Sequence, residues 1–450
     1  MSIWASIIKR FKAPALPKPG TEYTQSYMDN LVNILRLYFN QLDELLANIV
    51  SAQPVNVNFY GTALDAFGRA RTSAPYTLFD SQNRYAKNGL FSETTATGGT
   101  VTYDANASTV LLNVTTSSGS EVVRQTYRSF SYQPGKGLLV MNTFVMPAAQ
   151  DEQRIRIGYF NTQNGVFLER EGSDIYITRR TYVTGSAVDT RVAQADWNGD
   201  KLNGTGDSGF TLDLTKAQIF WEDFEWLGVG SVRAGFVIDG QNIICHTFQN
   251  ANSLSSVYMT TAILPVRYEI TNLAAVTNAS TLKQICSTVI SEGGYEKKVA
   301  PLVARMTTAN TGISTSFIPL VSIRLASGRT GAVVIPDGYN VLPTSSGTTT
   351  FEIALIKNPT LTGASFAATD SANVERDITA TALTGGTILE SQYILSSNQS
   401  RGAASGNTDY NWDLQIGATI GGTSDIYTVA ARTTSGTQNA IATFSFWDLT

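Results

Sequence analysis

Charge is what this chain has least of. Asp, Glu, Lys and Arg make up 15% of its 450 residues, against about a quarter in ordinary soluble proteins. Ser, Thr, Asn and Gly fill the gap, which suits β-sandwich modules whose uncharged surfaces neither repel a neighbouring copy nor attract a polyanion. The formal net charge is −4, so no basic field awaits a phosphate backbone, and nucleic-acid binding is not expected.

Histidine occurs once and cysteine twice. That nearly excludes a zinc site and rules out a disulfide framework, leaving one bridge open. Cys245 and Cys286 each lie in an apolar stretch and read as small buried hydrophobes. Ser-His-Asp or Cys-His catalysis would have to run through His246, and in an extended strand its neighbour Cys245 points to the opposite face. A structural histidine is the expectation. Neither Gly98-Gly99 nor Gly385-Gly386 is followed by Lys-Ser/Thr, so phosphate cradling has no support. No cofactor is expected.

Long apolar runs are missing too. None approaches the ~18 residues that span a bilayer, and no basic region precedes an apolar segment with a cleavage site at the N-terminus. The expectation is a soluble product without its own export signal and without membrane insertion.

What is present changes along the chain. In residues 1–12, Trp4, Ile7, Ile8 and Phe11 recur at helical spacing with Lys9, Arg10 and Lys12 around them. This peptide is either a frayed tail or an apolar stripe that docks on a partner. Pro14, Pro17 and Pro19 then impose a stiff, extended spacer, so residues 1–20 read as an anchoring peptide with its spacer.

Residues 21–55 carry an amphipathic helix, with Thr21 as N-cap and nothing helix-breaking from 22 to 50. Leu31, Leu35, Tyr38, Leu42, Leu45 and Ile49 repeat at alternating spacings of four and three, a heptad seam widened by Ile34 and Leu46. Two readings stay open: one helix packed on its own chain, or a parallel bundle of several copies. The bundle is favoured because the segment precedes the β domains on its own linker.

Beyond residue 54 the texture becomes β, with short β-branched and aromatic runs between Gly, Asn, Asp and Ser clusters. Strands are expected at 109–116, 138–145, 173–178, 233–238 and 242–248. Asp239-Gly240 between the last two marks a two-residue hairpin. Ser291 to Lys298 is charged and Gly-bearing, which places a boundary near 291–302. The fold class is therefore mainly β: the helical segment, a concanavalin-like jelly roll over 56–292, and a second sandwich over 303–450. Its strands are expected at 318–325, 331–335, 349–356, 387–395, 424–430 and 442–447.

Several blocks resemble a known group. Pro17 to Tyr23, Asn33 to Asp43, Asp65 to Arg71 and Leu78 to Tyr85 look like recurrent segments of virion structural proteins from marine and cyanobacterial tailed bacteriophages. Tyr132 to Lys136, Gly158 to Asn161 and Trp226 to Gly230 extend the likeness through the middle domain. The resemblance implies a particle-surface component described variously as fibre, spike or decoration, and no reaction. It also implies a homo-oligomer, three copies by the habit of phage fibres, held to a tail adaptor or capsid shell, with a host surface glycan as a candidate ligand.

One cluster tempts toward chemistry. Jelly rolls of this kind host glycoside hydrolases whose acids alternate along one strand, and Asp223 and Glu225 would project to one face ~7 Å apart. The expected third acid is missing, since position 221 is Trp and 227 is Leu. The bland alternative is a strand in which Trp221, Phe224 and Trp226 pack while the acids sit at the rim or pair with Arg233 or Arg267. Glycan contact through Trp221, Asp223 and Glu225 is kept as a weaker candidate, glycan depolymerisation as a weaker one still. Asp196 to Asp207 resembles an oxygen-rich Ca²⁺ loop but lacks the closing bidentate Glu, so a polar turn is preferred.

Overall fold

A computed structural model describes residues 16–18, 24–51, 75–345, 347–397, 403–406 and 412–450, with backbone alone at 43–51, 404, 406 and 412. Two compact units, Met1–Phe59 and Tyr60–Thr450, divide the chain.

The first unit holds α1, Gln25–Ser51. Thr24 caps it: its hydroxyl accepts the Tyr27 N–H at 3.3 Å, the usual service of a Ser/Thr cap to the third residue of a helix. The expected cap, Thr21, lies outside the described residues, and the helix begins one turn later than the sequence indicates.

The second unit is built from antiparallel sheets. Its first sandwich uses β1 (Pro75–Ser81), β2 (Phe91–Ala96), β3 (Thr100–Asp104), β4 (Thr109–Val114), β5 (Glu121–Thr126), β6 (Gly137–Val145), β7 (Gln153–Phe160), β8 (Gly165–Glu171), β9 (Asp174–Thr181), β10 (Val188–Ala193), β11 (Gln218–Phe224), β12 (Val232–Ile238), β13 (Gln241–Phe248), β14 (Val266–Asn272) and β15 (Ser280–Glu292). One sheet runs β13-β12-β11-β6-β15-β4-β3, with β1 also on β15, and the other β10-β9-β8-β7-β14-β5-β2. Period-two alternation sends Phe220 and Phe224 of β11, Val140 and Phe144 of β6, and Ile155 and Ile157 of β7 into one core, all at 0% exposure. The Asp239-Gly240 turn is as expected: φ is 49° and 74° at the two positions, the left-handed pair that a two-residue hairpin requires.

The second sandwich uses β16 (Leu302–Arg305), β17 (Asn310–Ile313), β18 (Ile318–Leu325), β19 (Val334–Pro343), β20 (Thr349–Lys357), β21 (Thr360–Thr362), β22 (Ala367–Ala368), β23 (Val374–Asp377), β24 (Ala382–Thr384), β25 (Thr387–Ser396), β26 (Ala404–Gly406), β27 (Ile426–Thr433) and β28 (Gln438–Asp448). Its sheets run β16-β28-β19-β26, with β17 on β28, and β22-β23-β18-β27-β20-β25; β21 and β24 form a separate ribbon. The strand expected at 331–335 instead begins at Val334 and runs on to Pro343. Pro336 is accommodated because the ladder with β28 shifts register between Pro336 and Gly338, the kind of place where a strand tolerates proline.

Among the described residues, no strand up to Glu292 pairs with one from Leu302 onward. The connecting stretch is nevertheless laid on the body: the Glu296 N–H donates to Gln133 Oε1 at 3.0 Å, and Tyr295 packs against the first core. Val333, Ile335, Trp447 and Leu449 of the second sandwich also join that first core, so the two sandwiches share apolar contact. No described helix is long and apolar enough to cross a membrane.

Candidate functional site

The seam of α1 is where the sequence places self-association. Leu31, Leu35, Tyr38 and Leu42 are half-buried. Beside them Val32 is 54% and Phe39 56% exposed; seven residues apart, both flank the seam on one side. The side chains of Leu45 and Ile49 lie outside the described residues, as do Trp4, Ile7, Ile8 and Phe11 of the expected anchor.

β11 carries the other candidate cluster. Trp221 and Asp223 face away from the core occupied by Phe220 and Phe224, yet both are at 0% exposure and Glu225 is at 2%. A Cβ at Gly235, directly across the ladder on β12, would fall 2.9 Å from Trp221 Cζ2. The missing side chain there makes room for the indole. Asp223 stands opposite Arg233, which reaches its Oδ2 through Nε at 2.9 Å and through a second guanidinium nitrogen. Glu225 follows the end of the strand, and Trp226 lies edge-on to Tyr132, with centroids 6.3 Å apart. The Asp223 pairing is the bland alternative weighed from the sequence, but the acids are inside and not at the rim. Buried in this way, Trp221, Asp223 and Glu225 offer a sugar neither a ring face nor a free carboxylate.

His246 is 7% exposed, stacks edge-on to Phe248 at 4.6 Å, and burial lowers its pKa. Its Nδ1 accepts the Asn198 N–H at 3.4 Å, a structural use of the ring. Cys245 points the other way into the core, where burial pushes its thiol up. Cys286 departs from expectation: it is only partly buried, beside a register shift between β15 and β6. Both cysteines are free thiols, so the one bridge left open does not form. In the Asp196 to Asp207 loop, Asp200 accepts the N–H groups of Leu202 at 2.8 Å and Ser208 at 2.7 Å. Partial burial raises its pKa, and those N–H groups more than offset it, leaving the carboxyl below its usual range. The loop spends its best oxygens on its own backbone. Among the described residues, no group of three or more His, Cys, Asp or Glu side chains is placed to hold a metal ion.

The most organised polar region was not legible in the sequence. On the outer face of the second sheet, Phe160 and Phe167 lie 4.4 Å apart between centroids. Arg156 and Arg180 sit over Phe167, and Arg267 over Phe160, at 5.2 to 5.6 Å. Carboxylates hold each guanidinium: Arg180 grips Asp189 with two bonds of 2.8 Å, Arg267 meets Glu269 at 2.9 Å, and Arg156 reaches Glu169 at 3.3 Å and Glu269 at 3.5 Å. Arg191 adds Glu169 at 2.7 Å. Charges thus alternate across five neighbouring strands, each strand contributing one or two. Burial pushes the Glu269 carboxyl up, but Arg267 and Arg156 overcome it and leave the group below its usual range.

No family model matches the chain, and no curated protein matches it. Solved structures do. A protein of unknown function from Shewanella oneidensis MR-1 aligns over 51% of this chain and 92% of its own, at 10% identity and TM-score 0.34. A β-1,3-glucanase from Mycobacterium marinum covers 48% and 98%, at 11% and 0.34. The carbohydrate recognition domain of Emp47p covers 48% and 96%, at 9% and 0.31. At TM-scores this low the likeness assigns neither substrate nor activity to this chain.

Proposed function

We propose that this protein is a non-enzymatic, homo-oligomeric structural component of a bacteriophage particle, a tail fibre or spike that exposes its two β-sandwiches. The observation that carries the reading is α1: a 27-residue helix in a unit separate from the β body, with a heptad seam half-buried and Val32 and Phe39 exposed beside it. A single amphipathic helix of this length gains little from its own propensity and needs a packed face. Apolar residues flanking the seam, where paired coiled coils usually carry charge, favour more than two copies, and three is the proposed number. Sister helices bury the stripe, the N-terminal peptide docks on other virion proteins, and linked copies bind a host surface with the gain of multivalency.

Gold-labelled antibody against residues 303–450, applied to intact particles, tests this. Label at the tail or collar is the expected result. Label spread over the head makes the protein a capsid decoration or head fibre, and absence of particle label overturns the structural reading altogether.

A further inference from the structure

The two sandwiches meet along a line whose open side is a cleft. Three recesses, of about 400, 290 and 600 Å³, adjoin there, and Tyr127 and Thr419 line all three. Each volume lies near or within the range of small-ligand sites.

The cleft is built in advance. The Tyr127 N–H donates to the Leu90 carbonyl at 3.0 Å, and its own carbonyl accepts the Ala418 N–H at 2.8 Å. A Cβ at Gly417 would fall 2.9 Å from Tyr127 Cβ, so only glycine lets the second sandwich close this tightly. The main chain of the half-buried Tyr127 is therefore held from both sides. Rigid placement lowers the ordering cost of any ligand that stacks on it.

In the first recess Gln415 is 2% exposed. Its Nε2 donates to the Ser129 carbonyl at 2.7 Å, while its Oε1 is buried with no hydrogen-bond partner. That unmet acceptor is sealed behind the recess wall, out of a ligand's reach, so Gln415 joins the two sandwiches and leaves contact to the groups in front of it. The charges nearby leave no such vacancy, because Lys357 pairs with Asp425 at 3.0 Å, Arg128 lies 3.7 Å from Asp413, and Lys87 meets Glu93 at 2.6 Å. With cations and carboxylates matched, the cleft has no excess field for a polyanion. Hydroxyl and amide side chains, Asn358, Thr419, Thr423 and Ser424 among them, line much of the remaining wall.

We infer that this cleft binds a neutral oligosaccharide, with one sugar ring stacked on Tyr127 and sugar hydroxyls exchanging hydrogen bonds with the hydroxyl and amide side chains around it. A saccharide supplies what the walls ask for: an apolar ring face for the phenol and uncharged donors and acceptors for those side chains. The inference deepens the surface-binding part of the function proposed above and rests on it.

The test exposes the full-length protein to a microarray of bacterial surface polysaccharide fragments, neutral and acidic, and then titrates the best-retained neutral fragment by calorimetry. Retention of neutral fragments is expected, with affinity falling at least about tenfold in Tyr127→Ala and abolished in Thr419→Arg, which fills the centre. Unchanged melting temperatures show that the variants fold. No retention, retention of acidic fragments alone, or binding indifferent to Tyr127→Ala and Thr419→Arg overturns the inference. Particle labelling without sugar binding sinks this site and spares the particle reading; sugar binding without labelling does the reverse.

Discussion

The carboxyl of Glu222 occupies the space that a side chain at Gly158 would need. A Cβ there would fall 2.8 Å from Glu222 Oε1 and 2.7 Å from the Phe167 Cα. Glu222 belongs to β11 and Gly158 to β7, so the contact joins the two facing sheets through the core. Glu222 is at 0% exposure, and neither of its oxygens has a hydrogen-bond partner in good geometry. Burial pushes the group well above the usual carboxylate range, offset only in part by the Tyr159 N–H.

The pH consequence follows from the sign of that shift. The folded state holds its proton where the unfolded chain releases it, so stability is fully present below the unfolded value of 4.5 and is lost as pH rises toward the folded one. The loss is about 1.4 kcal/mol per pH unit while the window lasts. Glu222→Gln removes the titration, and its melting temperature should exceed that of the parent by more at pH 8 than at pH 5. Equal differences at the two pH values would mean that Glu222 ionises freely in the fold. Gly158→Ala should cost about 1 to 3 kcal/mol at either pH, because backbone atoms of β8 crowd the new methyl as much as Glu222 does.

The charged face of the second sheet titrates in the opposite direction. Asp189 and Glu269 are held below their ordinary values of 3.8 and 4.5, as Arg180 for the first, and Arg267 and Arg156 for the second, outweigh burial. Their contribution is present above those values and is lost as pH falls through the lower folded ones. Glu269→Gln leaves Arg267 and Arg156 short of a buried partner and should cost about 3 to 5 kcal/mol at pH 7. Urea titrations at pH 7 and pH 3 measure it, and the difference between variant and parent should shrink at the acid end. A cost unchanged at pH 3 would show that packing over Phe160 and Phe167, and not charge, sets it.

These two groups also mark where sequence reasoning stops. Alternation along β11 places Asp223 and Glu225 on one side of a strand, but nothing local says whether that side is covered, and nothing local sets Glu222 apart from them. The Arg–carboxylate lattice draws on residues from 156 to 269, and only the sheet order brings them together. What was legible was local: the helix α1, the hairpin at Asp239-Gly240, and strands such as 318–325. Strands of two to four residues, β21 and β22 among them, are too short to leave a period.

The hairpin supports a cleaner measurement. Nothing lies within 4 Å of a Cβ built on Gly240, whose φ is 74°. Gly240→Ala therefore meets no clash and reports backbone strain alone, about 1 to 2 kcal/mol. Gly240→Asn should cost clearly less, since Asn tolerates the left-handed region. Chemical denaturation of the three proteins distinguishes them, and equal stability of the Ala and Asn variants would contradict a left-handed turn at this position.

Self-association through α1 makes the last prediction. Leu35 and Leu42 stand one heptad apart on the half-buried stripe. In a bundle of sister helices, Leu35→Asp with Leu42→Asp places two unpaired charges per chain in a shared apolar seam, a loss of several kcal/mol per copy. Sedimentation of the parent should then give a mass of three chains, and of the double variant one chain, with the β-sheet melting transition unmoved. A helix that packs only within its own chain behaves differently. The parent would sediment as a single chain, and the double variant would unfold the helix without any change in mass.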